Sequence, residues 1–167
     1  MGNIDNRLPV VLGLGNPLFQ DEGLGIHVIH QLMYRDFNRR AELVDGGTDG
    51  LGLLGLVESA SRMIVVDAID AGLPPGEIFK CDGQSLNFVS RRKISPHQLE
   101  FKEVLALAQL LGKMPAELLI VGAQPFSLEW GTKLTPIVAG AVPSIIQIIE
   151  ARLNDWRVPA AELVTAL

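Results

Sequence analysis

Apolar residues along this chain come in two textures, short continuous runs and stretches with a helical repeat. Leu8 to Leu14, with Val10, Val11 and Leu12, is a run of the kind that a buried strand shows. A segment holding Gly13, Gly15, Pro17, Asp21, Glu22, Gly23 and Gly25 interrupts the pattern. Ile26, Ile29, Leu32 and Met33 then recur at the spacing of an amphipathic helix, predicted from about Glu22 to Arg35, with His27, His30, Gln31 and Tyr34 as its polar stripe. The glycine-rich segment therefore reads as a strand-to-helix turn, with Asp21 and Glu22 at the helix N-terminus facing the ligand side of the sheet. Ile26 continues the line of Glu22 and turns that carboxylate toward the sheet edge, away from the two histidines.

Glu42 to Asp45 predicts a second short strand, closed by Gly46-Gly47-Thr48, and Leu51 to Val57 a small apolar helix despite Gly52 and Gly55. Met63 to Val66 lacks polar alternation, as a central strand covered on both faces does, and it ends in Asp67. Pro74-Pro75-Gly76 marks a turn, Glu77 to Cys81 an edge strand or hairpin arm, and Asp82 to Lys93 a loop. Ser95-Pro96 has the form of an N-cap with proline at the first helical position. Phe101, Val104, Leu105, Ala108 and Leu111 give the stripe of the helix that follows, so His97 falls in its first turn. Leu118 to Val121 is another buried strand, and Gln124 to Lys133 a loop or small hairpin. Thr135-Pro136 repeats the capping arrangement before a terminal helix lined by Val138, Ala141, Val142, Ile145, Ile148 and Ile149, which Pro143 kinks or delays. Strands alternating with helices, with neither repeat nor linker, predict an α/β fold. The expectation is a single domain over residues 1–167, with a mostly parallel twisted sheet carrying helices on both faces in a three-layer, phosphorylase/hydrolase-like architecture.

Composition narrows the function classes. A chain of 167 residues with 48% hydrophobic content has the size and material of one core. A net charge of −5 provides no global positive field for nucleic acid or anionic lipid, and Arg91-Arg92-Lys93 reads as a solvated loop. Cys81 is the single cysteine, which rules out an intramolecular disulfide and makes the cytoplasm the default location. The polar start, Met1 to Arg7, lacks the pattern of an export signal. Ile137 to Ile149, broken by Pro143, Ser144 and Gln147, is shorter than the roughly 20 residues of a membrane span, so neither export nor membrane insertion is expected.

Glu22, Asp67 and His97 each stand where a strand or loop gives way to the next element. Adjacent strand ends of a parallel sheet share one rim, so these distant residues can converge there. Two carboxylates and an imidazole make a hard-to-borderline ligand set for a divalent transition metal, with positions left open for water or substrate. Each residue also has a plainer role available: a carboxylate in a first helical turn complements the dipole, a strand-end Asp caps a loop, and a lone His is a polar surface group. Asp45 before Gly46-Gly47-Thr48 suits an Asx turn, or a neighbour on the same rim. No Gly-x-Ser-x-Gly occurs and Cys81 lies in an edge element, so serine and cysteine nucleophiles are unsupported. Nor is a nucleotide expected. Gly13-x-Gly15 lacks the third glycine of a dinucleotide fingerprint, which would fall at Leu18, and no P-loop lysine follows.

Four segments taken together, Gly15-Asn16-Pro17-Leu18-Phe19-Gln20-Asp21-Glu22-Gly23-Leu24-Gly25, Asp45-Gly46-Gly47-Thr48, Val65-Val66-Asp67-Ala68 and Ser95-Pro96-His97-Gln98, closely resemble the hydrogenase maturation endopeptidases in order and spacing. The resemblance implies an α/β fold and an endopeptidase that removes a C-terminal extension from the precursor of a nickel-iron hydrogenase large subunit after nickel insertion. It implies metal-contacting residues at Glu22, Asp67 and His97, with the nickel supplied by the substrate. Asp45 is a candidate catalytic base. Peptidyl-tRNA hydrolases share a Gly-Leu-Gly-Asn-Pro opening, but Leu18 replaces the glycine expected after the proline, and Asp21-Glu22 stand near where that family places a histidine-asparagine pair. A non-catalytic metal-binding assembly factor is the other alternative.

Overall fold

The computed structural model describes residues 7–35, 37–83 and 96–156, with the side chains of residues 96–100 excepted. The strands are β1 (Val10–Leu14), β2 (Glu42–Gly47), β3 (Arg62–Ala68), β4 (Ile78–Asp82) and β5 (Glu117–Ala123). The helices are α1 (Leu24–Tyr34), α2 (Leu54–Ser59), α3 (Pro96–Leu110), α4 (Pro136–Ala139) and α5 (Val142–Asp155). Strand order is β2-β1-β3-β5-β4. All pairings are parallel except that of β4, which runs antiparallel to β5 and forms the edge expected from Glu77 to Cys81.

Side-chain alternation along the central strands divides the interior into two layers. Val11, Ile64, Val66, Leu119 and Val121 face α1 and α5 with Leu24, Val28, Ile29, Ile145 and Ile149. Val10, Leu12, Leu14, Met63, Val65 and Leu118 face the other way, onto Val57 of α2 and Phe101, Val104 and Leu105 of α3. Both sheet faces are therefore covered, which is why Val10 to Leu14 of β1 and Met63 to Val66 of β3 hold no polar side chain. Each fully buried Leu, Ile or Val side chain contributes roughly 1.5–3 kcal/mol, so strand parity is strongly enforced.

Several boundaries differ from the predicted ones, and the small helix expected over Leu51 to Val57 begins as a 3-10 turn, Gly50–Leu53, that continues into α2. The helix expected to begin at Glu22 starts instead as a separate 3-10 turn, Gln20–Gly23, followed by α1. The terminal helix is split: α4 ends at Ala139, and α5 resumes with Pro143 in its first turn, where a missing N–H costs nothing. Proline here delays the helix rather than kinking it. Pro136–Asp155 has the length and mean hydropathy, 1.3, of a membrane span. Its Val138, Val142, Ile145, Ile146, Ile149 and Leu153 are nonetheless buried against the sheet. Ser95 and the Arg91-Arg92-Lys93 run lie outside the described residues.

Candidate active site

The strand order turns back on itself between β1 and β3: the chain leaves β1 for β2 on one side and returns to β3 on the other. Ligands of open parallel sheets bind at the carboxyl ends of strands flanking such a switch point. Here those ends are Gly15 and Asp67, since Gly13 pairs with Val66. Close approach is built into the sequence. Gly15 has φ +122°, and a Cβ there would overlap the carbonyl of Glu22. A Cβ at Gly25 would overlap the carbonyls of Leu14 and Val66, so α1 can begin only against bare backbone. The 3-10 turn carrying Glu22 thereby lies against β1 and β3, at the same rim as Asp67.

Asp67 is 9% exposed. One of its carboxylate oxygens accepts a hydrogen bond from the Ala68 N–H at 2.8 Å. The carboxylate lines a narrow cleft with Leu14, Gly15, Gly47, Thr48, Gly50, Leu53 and Phe101, whose volume of about 10 Å³ is room for one water. A nearly buried carboxylate thus stands beside a water-sized space that is bounded by backbone from three strand ends on one side and by Leu53 and Phe101 on the other.

Asp45 lies on the same rim but on the opposite face. It pairs with Gly13, which pairs with Val66, and Leu43 two residues earlier packs into the α1-side core. Parity thus turns Asp45 toward α1, whereas Asp67 points to the α2–α3 side. One Asp45 oxygen accepts the Gly47 N–H at 3.1 Å, the Asx turn expected for Asp45-Gly46-Gly47. The other stands 3.5 Å from Nε2 of His30. His30, read from the sequence as a solvated face of α1, has that carboxylate as a partner, a contact that only the β1–β2 register brings about.

Asp21 requires a correction. The sequence reading set it beside Glu22, facing the ligand side, but it is fully buried and turned toward the loop between β5 and α4. Its carboxylate accepts hydrogen bonds from the N–H groups of Phe126 and Ser127 at 3.0 Å each, from the Thr135 N–H at 2.7 Å, and from the Thr135 hydroxyl. Thr135 does occupy the N-cap of α4, but its hydroxyl serves Asp21 and caps no helical N–H. Nothing in the local sequence separates Asp21 from Glu22. A signal was present only in the pairing of a buried acceptor with a loop full of backbone donors more than a hundred residues away.

His97 lies in the first turn of α3, four residues before Phe101, which lines the Asp67 cleft. Its side chain is outside the described residues. Among the described residues no three His, Cys, Asp or Glu side chains group to hold a metal, so Glu22 and Asp67 are the described members of the expected donor set. The Cys81 thiol, on edge strand β4, is pushed up in pKa by burial and then by Asp82, the opposite of what a nucleophilic thiolate needs.

Comparison with known proteins gives a consistent result. The family model HycI, hydrogenase maturation protease, matches residues 26–152. The hydrogenase expression/formation protein HupD of Bradyrhizobium diazoefficiens is 41% identical over 162 residues, 92% of this chain and 81% of that protein. HoxM of Cupriavidus necator, of the same description, is 41% identical over 150 residues, 88% of this chain and 74% of that protein. Among solved structures, the hydrogenase maturating endopeptidase HybD from E. coli superposes with a TM-score of 0.79 at 33% identity, covering 89% of this chain and 93% of that one.

Proposed function

Since this chain belongs to the hydrogenase maturation protease family and is an endopeptidase of hydrogenase maturation, we propose that it removes the C-terminal extension of a nickel-iron hydrogenase large-subunit precursor once nickel is in place. The nickel belongs to the substrate, and Glu22, Asp67 and His97 are the residues that meet it. The observation that carries this reading is the Asp67 cleft at the β1–β3 switch point, with the Glu22 turn packed on the same rim through Gly15. The two described donors are carboxylates, and a thiolate-free set with open positions holds a transition metal weakly by itself, which favours a metal already carried by the precursor. Recognition then makes cleavage conditional on correct loading. Bound nickel would supply Lewis-acid polarisation of a carbonyl or water. Asp67, nearly buried and beside space for one water, orients that end of the site, while Asp45 holds the Gly47-Thr48 wall of the cleft through its turn. The reaction belongs in the cytoplasm, with the precursor as partner.

The test is direct. The protein is mixed with nickel-loaded, tail-bearing large subunit and the mass of the product is measured. Loss of the tail is expected with wild-type protein, and an uncut tail overturns the proposal. His97→Ala is expected to abolish cutting with an unchanged circular dichroism spectrum; normal cutting by that variant removes His97 from the site.

A further inference from the structure

Glu22 sits in a poor place for a residue that must meet a ligand at a fixed height. Its 3-10 turn is four residues long, has no side-chain cap, and begins at Gln20, whose φ of +43° is in the left-handed region that a non-glycine residue rarely adopts. Such a turn does not hold its own shape. What holds it is the loop between β5 and α4. The Gln20 N–H donates to the Gly131 carbonyl at 2.8 Å, the Asp21 N–H to the Ser127 carbonyl at 3.2 Å, and the Gly131 N–H to the Leu18 carbonyl at 2.9 Å. Phe19 packs against Trp130 with ring centroids 4.7 Å apart and the rings tilted by 38°. At the centre, the buried Asp21 carboxylate gathers the Phe126, Ser127 and Thr135 N–H groups and the Thr135 hydroxyl. Hydrogen bonds to an ionised carboxylate are stronger than neutral ones, and these connect segments 105 to 114 residues apart in sequence.

We propose that Asp21 is the positioning residue for Glu22: by clamping the Gln20–Gly23 turn to the Phe126–Thr135 loop, it fixes where Glu22 meets the nickel of the precursor. This rests on the reading of Glu22 as a metal contact given above. Asp21 touches neither substrate nor metal and acts through its neighbour. The chemistry of the clamp admits no near substitute. Oδ2 accepts the Phe126 and Ser127 N–H groups and Oδ1 accepts that of Thr135, so the single acceptor oxygen of Asn leaves its amide group facing at least one N–H donor. Thr135→Ser keeps the hydroxyl donor, and Thr135→Val removes it alone.

The experiment measures affinity for the nickel-loaded and the nickel-free precursor, using full-length Asp21→Asn, Glu22→Gln, the double variant, Thr135→Ser and Thr135→Val. Groups that support a metal ligand typically contribute roughly 10- to 100-fold in affinity. Asp21→Asn is therefore expected to weaken binding of the loaded precursor by that factor, with the nickel-free affinity changed less than about twofold. Glu22→Gln is expected to do the same, and the double variant to be no weaker than Glu22→Gln alone, because the two changes remove one interaction. Thr135→Ser should match wild type, and Thr135→Val should show a smaller loss specific to the loaded form. A loss by Asp21→Asn that adds in full to that of Glu22→Gln, or that is equal for both precursors, overturns the proposal and leaves Asp21 a purely structural clamp. If Glu22→Gln alone binds loaded precursor as tightly as wild type, the metal contact at Glu22 fails, and the positioning role fails with it. Should Asp21→Asn not fold, Thr135→Val carries the same comparison, and equal losses for the two precursors overturn the proposal.

Discussion

Asp45 and Asp67 stand near the carboxyl ends of two strands on the same side of the same sheet, one before Gly46-Gly47-Thr48 and the other before Ala68-Ile69-Asp70. One is half exposed, with its oxygens engaged by the Gly47 N–H and the His30 imidazole on the α1 face. The other is nearly buried, on the α2–α3 face, and opens onto a cleft large enough for one water. What separates them is pleat parity: a strand-end carboxylate joins the cleft or leaves it according to whether its position is odd or even relative to the buried runs. A rim is thus two sites back to back, and sharing the rim does not mean sharing the chemistry.

That contrast can be broken experimentally. The largest effect is expected at Asp67, where Asp67→Asn should lower the rate of precursor cleavage by more than about 100-fold, beyond what a supporting group contributes, with the fold retained. Cleavage by this variant at the wild-type rate would erase the distinction. Gly15→Ala probes what places the Glu22 turn beside Asp67. The added Cβ meets the Glu22 carbonyl in a backbone conformation that alanine resists, so urea unfolding should show a loss of about 2 kcal/mol. An unchanged midpoint would mean that the turn is not seated there. Asp45→Asn keeps an oxygen for the Gly47 N–H, and cleavage should fall less than about fivefold. A collapse of activity in that variant would make Asp45 the base and bring it into the chemistry across the sheet. Smallest of all is the effect expected at Cys81. Burial and Asp82 raise its pKa, so the thiolate forms only at more alkaline pH than for a free thiol, and Cys81→Ser should cleave within about twofold of wild type at neutral pH. Loss of cleavage on mild alkylation at neutral pH would contradict this.

Most of the architecture was legible because burial on both faces writes itself into sequence as runs without polar interruption. Met63 to Val66 announced the central strand, and β-branched residues ending in a single Asp announced where that strand reaches the rim. The helix stripes from Ile26 and from Phe101 were legible over most of their length, since a face that must be apolar every three or four residues leaves little freedom, but Met33 and Leu111 at their ends are exposed. The turn at Gln20–Gly23 was less legible. Its glutamine adopts a left-handed φ because distant partners compel it, and local propensity argues for an ordinary helix start.

By itself, the sequence determined the alternation of strands and helices, the placing of Glu22, Asp67 and His97 at element boundaries, and membership of a family through four ordered motifs. Each of these depends on neighbours within a few residues or on spacing along the chain. Only the tertiary structure decided that Asp21 and Glu22, adjacent and chemically alike, have different surroundings, and that Asp45 and Asp67 face opposite ways. Those outcomes depend on register and on hydrogen-bond donors more than a hundred residues away. A carboxylate's role follows from the groups that surround it, and for Asp21 those groups are brought together only when the chain has folded.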